Sequence, residues 1–238
     1  MNSVKYSIVI PTLNERENIV PLLKRIEGCG LQNFEILVVD ENSPDGTCQA
    51  VNDYSKDKNN IRGILNDGIP GLSPSIVKGF ESAAGEFLCC MDGDMQHDVK
   101  DLPAIFKSLE NNDFVIGSRY VEGGGFAEKW SLSRVIISRS AAMLTKIFLQ
   151  VTVKDPMSGF FAVKKTAFNE IKSKLSPRGF KIMLEMLYLL THTGKPCRVT
   201  ECGITFNKRI HGQSKLSMKV ILDFLRMLWK LPRQTKNK

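Results

Sequence analysis

The stretch Glu86-Phe-Leu-Cys-Cys-Met-Asp-Gly-Asp-Met-Gln96 passes from an unbroken apolar run into two carboxylates separated by one glycine. A short, continuous apolar run is what a parallel strand covered on both faces requires, and it predicts a strand over Phe87–Asp92. Asp92 and Asp94 then fall at its carboxyl end, the edge at which open α/β sheets bind ligands. Carboxylate oxygens there suit a hard divalent cation, with a bound phosphate completing its shell. Gly93 lets backbone or ligand come close between them. A solvated acidic turn reads the same way in isolation, so the flanking segments have to decide.

Outward from this stretch, short β-rich runs recur at Tyr6–Pro11, Phe34–Asp40, Ile61–Leu65 and Phe114–Gly117. Helical patterns separate them: Glu15–Glu27, with Ile19, Leu22, Leu23 and Ile26 on one face, then Gly46–Tyr54, Ser75–Ala84 and Leu102–Leu109. Strict alternation of strand and helix predicts an α/β fold with right-handed crossovers and a mostly parallel central sheet carrying helices on both faces. After Tyr120 the alternation stops. A glycine-rich loop spans Val121–Ala127, and an apolar helix is expected over Ser133–Val151. Strands are expected over Ser158–Val163 and Arg198–Phe206, with a helix over Phe180–Thr193 between them. A last amphipathic helix covers Ser217–Leu231, and residues 232–238 read as a basic, disordered tail. The whole reads as one domain over 1–231, elaborated at its C-terminal end.

With 238 residues the chain can bury a large core. Its net charge of +8 is uneven, the segment Lys195–Lys238 being strongly basic. Nucleic acid, an acidic membrane surface, a phosphorylated substrate or simple solvation would each suit that segment, but no aromatic stacking platform or recognition motif for nucleic acid accompanies it. Six cysteines (Cys29, Cys48, Cys89, Cys90, Cys197 and Cys202) form no Cys-x-x-Cys pair and read as reduced thiols. The N-terminus enters a strand within a few residues, which argues against a secretion signal and for a cytosolic setting. No run approaches the roughly 20 apolar residues that span a bilayer.

The first strand ends in Pro11-Thr12-Leu13-Asn14-Glu15, where Asn14 is placed either to cap the next helix or to hold a nucleotide. The second ends in Asp40-Glu41-Asn42-Ser43-Pro44-Asp45-Gly46-Thr47, and a carboxylate there can accept hydrogen bonds from a base or ribose. No Gly-x-Gly-x-x-Gly or Walker loop is present, which disfavours a Rossmann dehydrogenase or P-loop enzyme. The ordered set PTLNE, VVDENSPDGT, MDGDMQH and IGSRYVEGGG resembles the inverting glycosyltransferases of GT-A fold, and within them the dolichyl-phosphate (polyprenyl-phosphate) mannosyltransferases. The likeness continues through Trp130-x-x-x-Arg134-x-x-x-Ser138, DPMSGFFAVKK, Glu185-Met-Leu-Tyr188 and Arg209-x-x-Gly-x-Ser214-Lys215, nearly the whole chain.

The resemblance implies a nucleotide-sugar half over 1–120 and an acceptor-binding, membrane-interfacial half over 121–231. Pro11, Thr12, Asn14, Glu15, Asp40 and Asn42 would line the donor site with Asp92, Gly93 and Asp94, joined by Arg209 and Lys215. Asp92, Asp94 and Gln96 would hold Mg²⁺ or Mn²⁺. Arg119, Arg134 and Ser138 would hold the acceptor phosphate, arginine suiting it because its fork binds phosphate oxygens in pairs. Asp94, Arg119 and Arg209 are the expected catalytic residues. The implied reaction is transfer of mannose from GDP-mannose to dolichyl phosphate, for protein glycosylation and GPI-anchor-type pathways. A UDP-glucose or other hexosyl transferase is the neighbouring alternative, and a non-catalytic nucleotide-binding scaffold of a membrane complex is the alternative of a different class. Glu41 stands where the family has Asp, and Gly68-Ile-Pro-Gly71-Leu-Ser-Pro74 replaces its Gly-Leu-Gly turn, Pro70 and Pro74 stiffening that loop.

The expected helices over Ser133–Val151 and Ser217–Leu231 carry apolar residues beside basic ones, which suits either core packing or an interfacial position on a bilayer. Because relatives use C-terminal spans or small membrane-spanning subunits, the resemblance implies peripheral association of the second type, on the cytosolic face of the endoplasmic reticulum in a eukaryote and otherwise on a membrane in the cytoplasm.

Overall fold

The computed structural model describes residues 4–127, 132–177, 181–192, 194–210 and 218–236. Strands β1 (Tyr6–Thr12), β2 (Phe34–Asp40), β3 (Ile61–Leu65), β4 (Phe87–Cys90) and β5 (Phe114–Ser118) alternate with helices α1 (Arg16–Glu27), α2 (Thr47–Ser55), α3 (Leu72–Ser82) and α4 (Leu102–Asn111). There follow β6 (Gly125–Phe126), α5 (Leu132–Leu149), β7 (Phe161–Lys164), α6 (Lys165–Ile171), α7 (Ile182–His192), β8 (Val199–Gly203), β9 (Thr205–Phe206) and α8 (Met218–Lys236). The main sheet has seven strands in the order β3-β2-β1-β4-β7-β5-β8.

Alternation along each strand builds two apolar layers, since successive side chains point to opposite faces. Ile8, Ile10, Ile36, Val38 and Cys89 pack with Ile19, Leu22, Leu23 and Ile26 of α1 and with Ile105, Phe106 and Leu109 of α4. Val9, Leu37, Val39, Leu88 and Cys90 face the other layer, with Ile76 and Phe80 of α3 and the α7 residues Leu184 and Leu187. The four α1 side chains are fully buried, each stabilising the fold by up to about 1.5–3 kcal/mol.

Among the described residues only β7 runs antiparallel within this sheet, between β4 and β5. The β4–α4–β5 crossover skips one strand position, and β7 enters it from the opposite direction. The segment before β7 therefore begins at the same edge where β4 and β5 end, which brings three loops together. Past β8, β9 pairs with β6 in a separate two-stranded sheet.

Several expectations change. The strand from Phe87 stops at Cys90, two residues before Asp92. The strand expected over Ser158–Val163 is confined to Phe161–Lys164. The span Arg198–Phe206 divides into β8 and β9, with Ile204 between them turned fully into the core. The Val121–Ala127 loop contains β6, and Pro74 lies in the first turn of α3, where a missing N–H costs nothing. Asn14 does not cap α1. It adopts a left-handed conformation with φ 57°, and Glu15 takes the cap position without a side-chain cap bond. Asp45 serves that end from the neighbouring loop, its Oδ2 accepting from Arg16 N at 3.1 Å. Residues 232–236, expected to be disordered, continue α8 with Pro232 inside it.

Candidate active site

The carboxyl ends of β1 and β2 are joined by polar bonds. Thr12 Oγ1 donates to Asp40 Oδ1 at 2.9 Å, while Ser43 donates through N to Asp40 Oδ2 at 2.8 Å and through Oγ to Oδ1 at 2.6 Å. Asn14 N donates to Ser43 Oγ at 2.8 Å, and Glu15 N donates to Thr47 Oγ1 at 3.0 Å. Asp40 is 1% exposed, so here its carboxylate builds the β2–α2 turn. Pro11, paired with Val39 across the two strands, is buried too. Asn14 and Asn42, both left-handed, are exposed at the rim.

At the adjoining strand end the backbone turns through Gly93 and Met95, the latter held at φ 67°, a conformation that costs an ordinary residue about 1–2 kcal/mol. This turn separates the two acids. Asp94 is 4% exposed, whereas the Asp92 side chain is about a third exposed, at 35%. Gly93 lies against Thr12: a Cβ there would stand 3.1 Å from Thr12 Cγ2. His97 supports the turn from below. Its Nδ1 accepts from Asp92 N at 3.1 Å, and its ring stacks on Phe160 and meets Phe206 edge-on. Burial pushes its pKa down to about 4, so His97 is neutral at physiological pH.

Asp94 Oδ1 accepts from Gln96 N at 3.0 Å. Arg209 Nη2 lies 2.5 Å from Asp94 Oδ2 and 3.4 Å from Gln96 Oε1. Gln96 Nε2 is anchored by the Asn207 carbonyl at 3.2 Å. Burial and the charge of Asp92 raise the pKa of Asp94, a field that calls for a cation. Asp92, Asp94 and Gln96 offer only oxygen donors, the ligation that Mg²⁺ and Mn²⁺ take. The arginine already drawn between Asp94 and Gln96 shows the electrostatic demand of this turn. The residues fit a hard divalent ion.

The β5 and β7 ends supply the other wall. Arg119 Nε and Nη2 donate to Asp155 Oδ2 and Oδ1, each at 2.7 Å, and Arg119 N donates to Oδ2 at 3.0 Å. Burial alone would lower the pKa of this guanidinium, but the Asp155 hydrogen bonds and charge raise it. Asp155 is held in turn by Glu201 of β8, whose oxygens accept from Lys154 N at 2.8 Å and Asp155 N at 3.0 Å. Ser138 on α5 is 8% exposed, and its hydroxyl is buried without a hydrogen-bond partner among the described residues. The side chain of Arg134, and Lys215 altogether, lie outside the described residues.

Asp155, Gly159, Glu201 and Lys181 belong to this edge and were not singled out from the sequence. A Cβ on Gly159 would stand 2.7 and 2.9 Å from the Asp92 carboxylate oxygens. Burial pushes the Lys181 ammonium down to about 8, with Arg119 acting in the same direction and Asp92 and Asp155 opposing. The acid and glycine of DPMSGFF were visible, but only the antiparallel entry of β7 directs them to this edge.

Residues 7–172, from β1 to the residue after α6, match the profile of glycosyl transferase family 2. A dolichol-phosphate mannosyltransferase of Pyrococcus furiosus is 40% identical over 96% of this chain, which spans 64% of that protein's length. Its namesake in Saccharomyces cerevisiae is 36% identical over 96% of this chain and 87% of its own. Among solved structures, glucosyl-3-phosphoglycerate synthase from Mycobacterium tuberculosis, in complex with Mn²⁺, UDP and glucosyl-3-phosphoglycerate, superposes with a TM-score of 0.68. That likeness covers 97% of this chain and 79% of the other at 16% identity, and bears on the fold alone. It is the GT-A arrangement that the acidic turn and mostly parallel sheet describe. Sequence and architecture agree, and the chain belongs to glycosyl transferase family 2 and, within it, to the dolichol-phosphate mannosyltransferases.

Proposed function

We propose that the protein transfers mannose from GDP-mannose to the phosphate of dolichyl or another polyprenyl phosphate, inverting the anomeric carbon. The observation that carries this reading is the meeting, at one sheet edge, of the Asp92–Asp94–Gln96 oxygens with the Arg119–Asp155 wall. An acceptor phosphate oxygen forms the bond to C1 of mannose while the bond from C1 to the β-phosphate oxygen breaks, and GDP leaves with that electron pair. A phosphate monoester has its second pKa near 6, so the nucleophile is largely dianionic at neutral pH and needs no protein base. One displacement converts an α-linked donor into a β-mannosyl phosphate.

Pro11, Thr12, Asn14, Glu15 and Asn42 line the nucleoside side in this reading, with Asp40 fixing the turn between Thr12 and Ser43, and Lys215 is assigned to donor binding from the sequence alone. Asp92, Asp94 and Gln96 would hold Mg²⁺ or Mn²⁺, which when bound supplies positive charge to stabilise the departing diphosphate. Among the described residues no three His, Cys, Asp or Glu side chains gather as a metal cage, which suits an ion completed by diphosphate oxygens. Arg209 then serves the phosphates. Arg119, its fork committed to Asp155, contributes positive potential, and Arg134 and Ser138 take the acceptor phosphate. A buried hydroxyl without a partner costs about 1–3 kcal/mol, and a phosphate oxygen would offset that cost at Ser138.

The lipid acceptor also accounts for the surface. On α5, Ala141, Thr145 and Leu149 are buried while Ile136, Met143, Ile147 and Phe148 are exposed. On α8, Phe224, Leu228 and Leu231 are buried while Leu222, Leu225 and Trp229 are exposed. Among the described residues no helix is long and apolar enough to cross a membrane. The exposed faces, with Arg139, Lys146, Arg226 and Lys230 at their borders, suit a protein lying on the cytosolic face of the endoplasmic reticulum membrane. Labelled GDP-mannose and UDP-glucose, each offered with dolichyl phosphate and Mn²⁺, test the reading. Lipid labelled from GDP-mannose is expected; labelling from UDP-glucose alone, or from neither, contradicts it.

A further inference from the structure

Phe206 touches both walls of the site. It belongs to β9, a strand of two residues paired in parallel with β6, where Phe126 is its partner. So short a ladder is marginal by itself, and further contacts tie it to the acidic turn. His97 and Phe206 form an isolated antiparallel bridge, their rings meet edge-on with centroids 5.6 Å apart, and Asn207 N donates to the Gln96 carbonyl at 2.7 Å. From the same position the Phe206 ring reaches the other wall. Its centroid lies 5.1 Å from the guanidinium carbon of Arg119, nearer than those of Tyr120 at 5.6 Å and Phe126 at 5.7 Å. All three rings are within the range at which an aromatic face attracts a cation.

Asp155 grips Arg119 through two guanidinium nitrogens. A charge paired in this way acts on a nearby phosphate as a dipole, so its effect depends on direction as well as distance. Two parallel hydrogen bonds still let the guanidinium plane hinge about the carboxylate, and the rings over it restrict that hinge. Arg119 is 8% exposed, and an aromatic face offsets part of the desolvation of such a cation, which an aliphatic side chain of similar bulk does not do. Phe206 is the nearest of these faces, and the one whose strand is bonded to the metal-bearing turn. We propose that Phe206 is a positioning residue for the acceptor: its ring holds the Arg119 guanidinium where its positive potential falls on the acceptor phosphate, and acceptor affinity depends on that ring.

This rests on the reading under Proposed function and deepens it. The test uses the full chain, with Phe206→Leu and the ring-retaining Phe206→Tyr beside the wild type, GDP-mannose as donor and farnesyl phosphate as acceptor. Phe206→Leu is expected to raise the KM for farnesyl phosphate about 3- to 30-fold, with kcat changed by less than about threefold. Calorimetric affinity for GDP with Mn²⁺ should stay within about twofold, and Phe206→Tyr should return the acceptor KM to within about twofold of the wild type. An unchanged acceptor KM in Phe206→Leu overturns the proposal. So does an equal loss of GDP affinity, which would place the effect in the His97 turn, and so does a folded Phe206→Tyr no better than Phe206→Leu. Phe206→Met, closer in volume to the native side chain, replaces Phe206→Leu under the same criteria if the latter unfolds. Collapse of both melting transitions assigns Phe206 a structural role and overturns the proposal too. If the wild type does not transfer to farnesyl phosphate or dolichyl phosphate, the proposed function falls and this inference with it; if it transfers and only the Phe206 expectation fails, the reaction stands.

Discussion

Gly159 has no side chain, and the carboxylate of Asp92 uses the room. Gly159→Ala places a methyl group within 3.1 Å of the Asp92 carboxyl group, so Asp92 must move. A displacement of about 1 Å in a reacting site can cost about 100-fold; transfer should fall about 10- to 100-fold while the melting temperature changes little. A steady-state assay beside a thermal melt separates the two. Glu185 gives a stability counterpart. It is 6% exposed, and burial raises its pKa, opposed by the hydrogen bond from Ser176 N. The folded state therefore binds its proton more tightly than the unfolded chain does. Its favourable contribution is full below the unfolded value near 4.5 and is lost as pH rises through the folded value. Glu185→Gln should remove that decline, so denaturant titrations of the two proteins should diverge with rising pH in favour of the variant. Arg209 sits where a divalent ion would compete for Asp94 and Gln96. Replacing it with Met should tighten Mn²⁺ binding in the absence of nucleotide by up to about fivefold, the range of a partly exposed ion pair, as read by calorimetry.

At the scale of the element, β7 organises the site. Its antiparallel course brings Asp155 to Arg119, a pair with side chains 0% and 7% exposed. Asp155→Ala leaves the guanidinium buried without its partner and should cost about 3–5 kcal/mol in chemical denaturation. Strands β1, β2, β4 and β5 were legible because a covered parallel strand needs an unbroken apolar run, and the acids that follow β1, β2 and β4 and the arginine that follows β5 were placed by that. The direction of β7 was not legible. Phe-Ala-Val-Lys is a strand in either direction, and only the empty position left by the β4–α4–β5 crossover decides it. Asn14 misled for a related reason: a short amide side chain suits an N-cap and a left-handed turn equally, and Asp45, distant in sequence, supplied the helix end instead. The division of β8 from β9 turns on Ile204 entering the core, which a run of β-formers does not disclose. Asp92, Asp94, Gln96 and Arg209 were all named from the sequence, but the neighbours Asn207 beside Gln96, Gly159 beside Asp92 and Glu201 beside Asp155 arrive through tertiary placement.

Across the whole molecule, the proposed reaction would require the β1, β2 and β4 ends, the Arg119–Asp155 pair and the exposed faces of α5 and α8 to work together at a lipid surface. Leu225→Glu combined with Trp229→Glu removes two exposed apolar side chains without touching the buried Phe224, Leu228 and Leu231 stripe. Co-sedimentation with phosphatidylcholine–phosphatidylserine vesicles should weaken about tenfold or more, with the melting temperature preserved. The metal-bearing turn is the centre of the account, and calorimetry of GDP binding with and without Mn²⁺, in the wild type and in Asp94→Asn, addresses it most directly. Mn²⁺ should raise the GDP affinity of the wild type about tenfold or more and leave Asp94→Asn nearly unaffected. A GDP affinity indifferent to Mn²⁺ in the wild type, or an Mn²⁺ effect that survives in Asp94→Asn, would contradict the assignment of this turn.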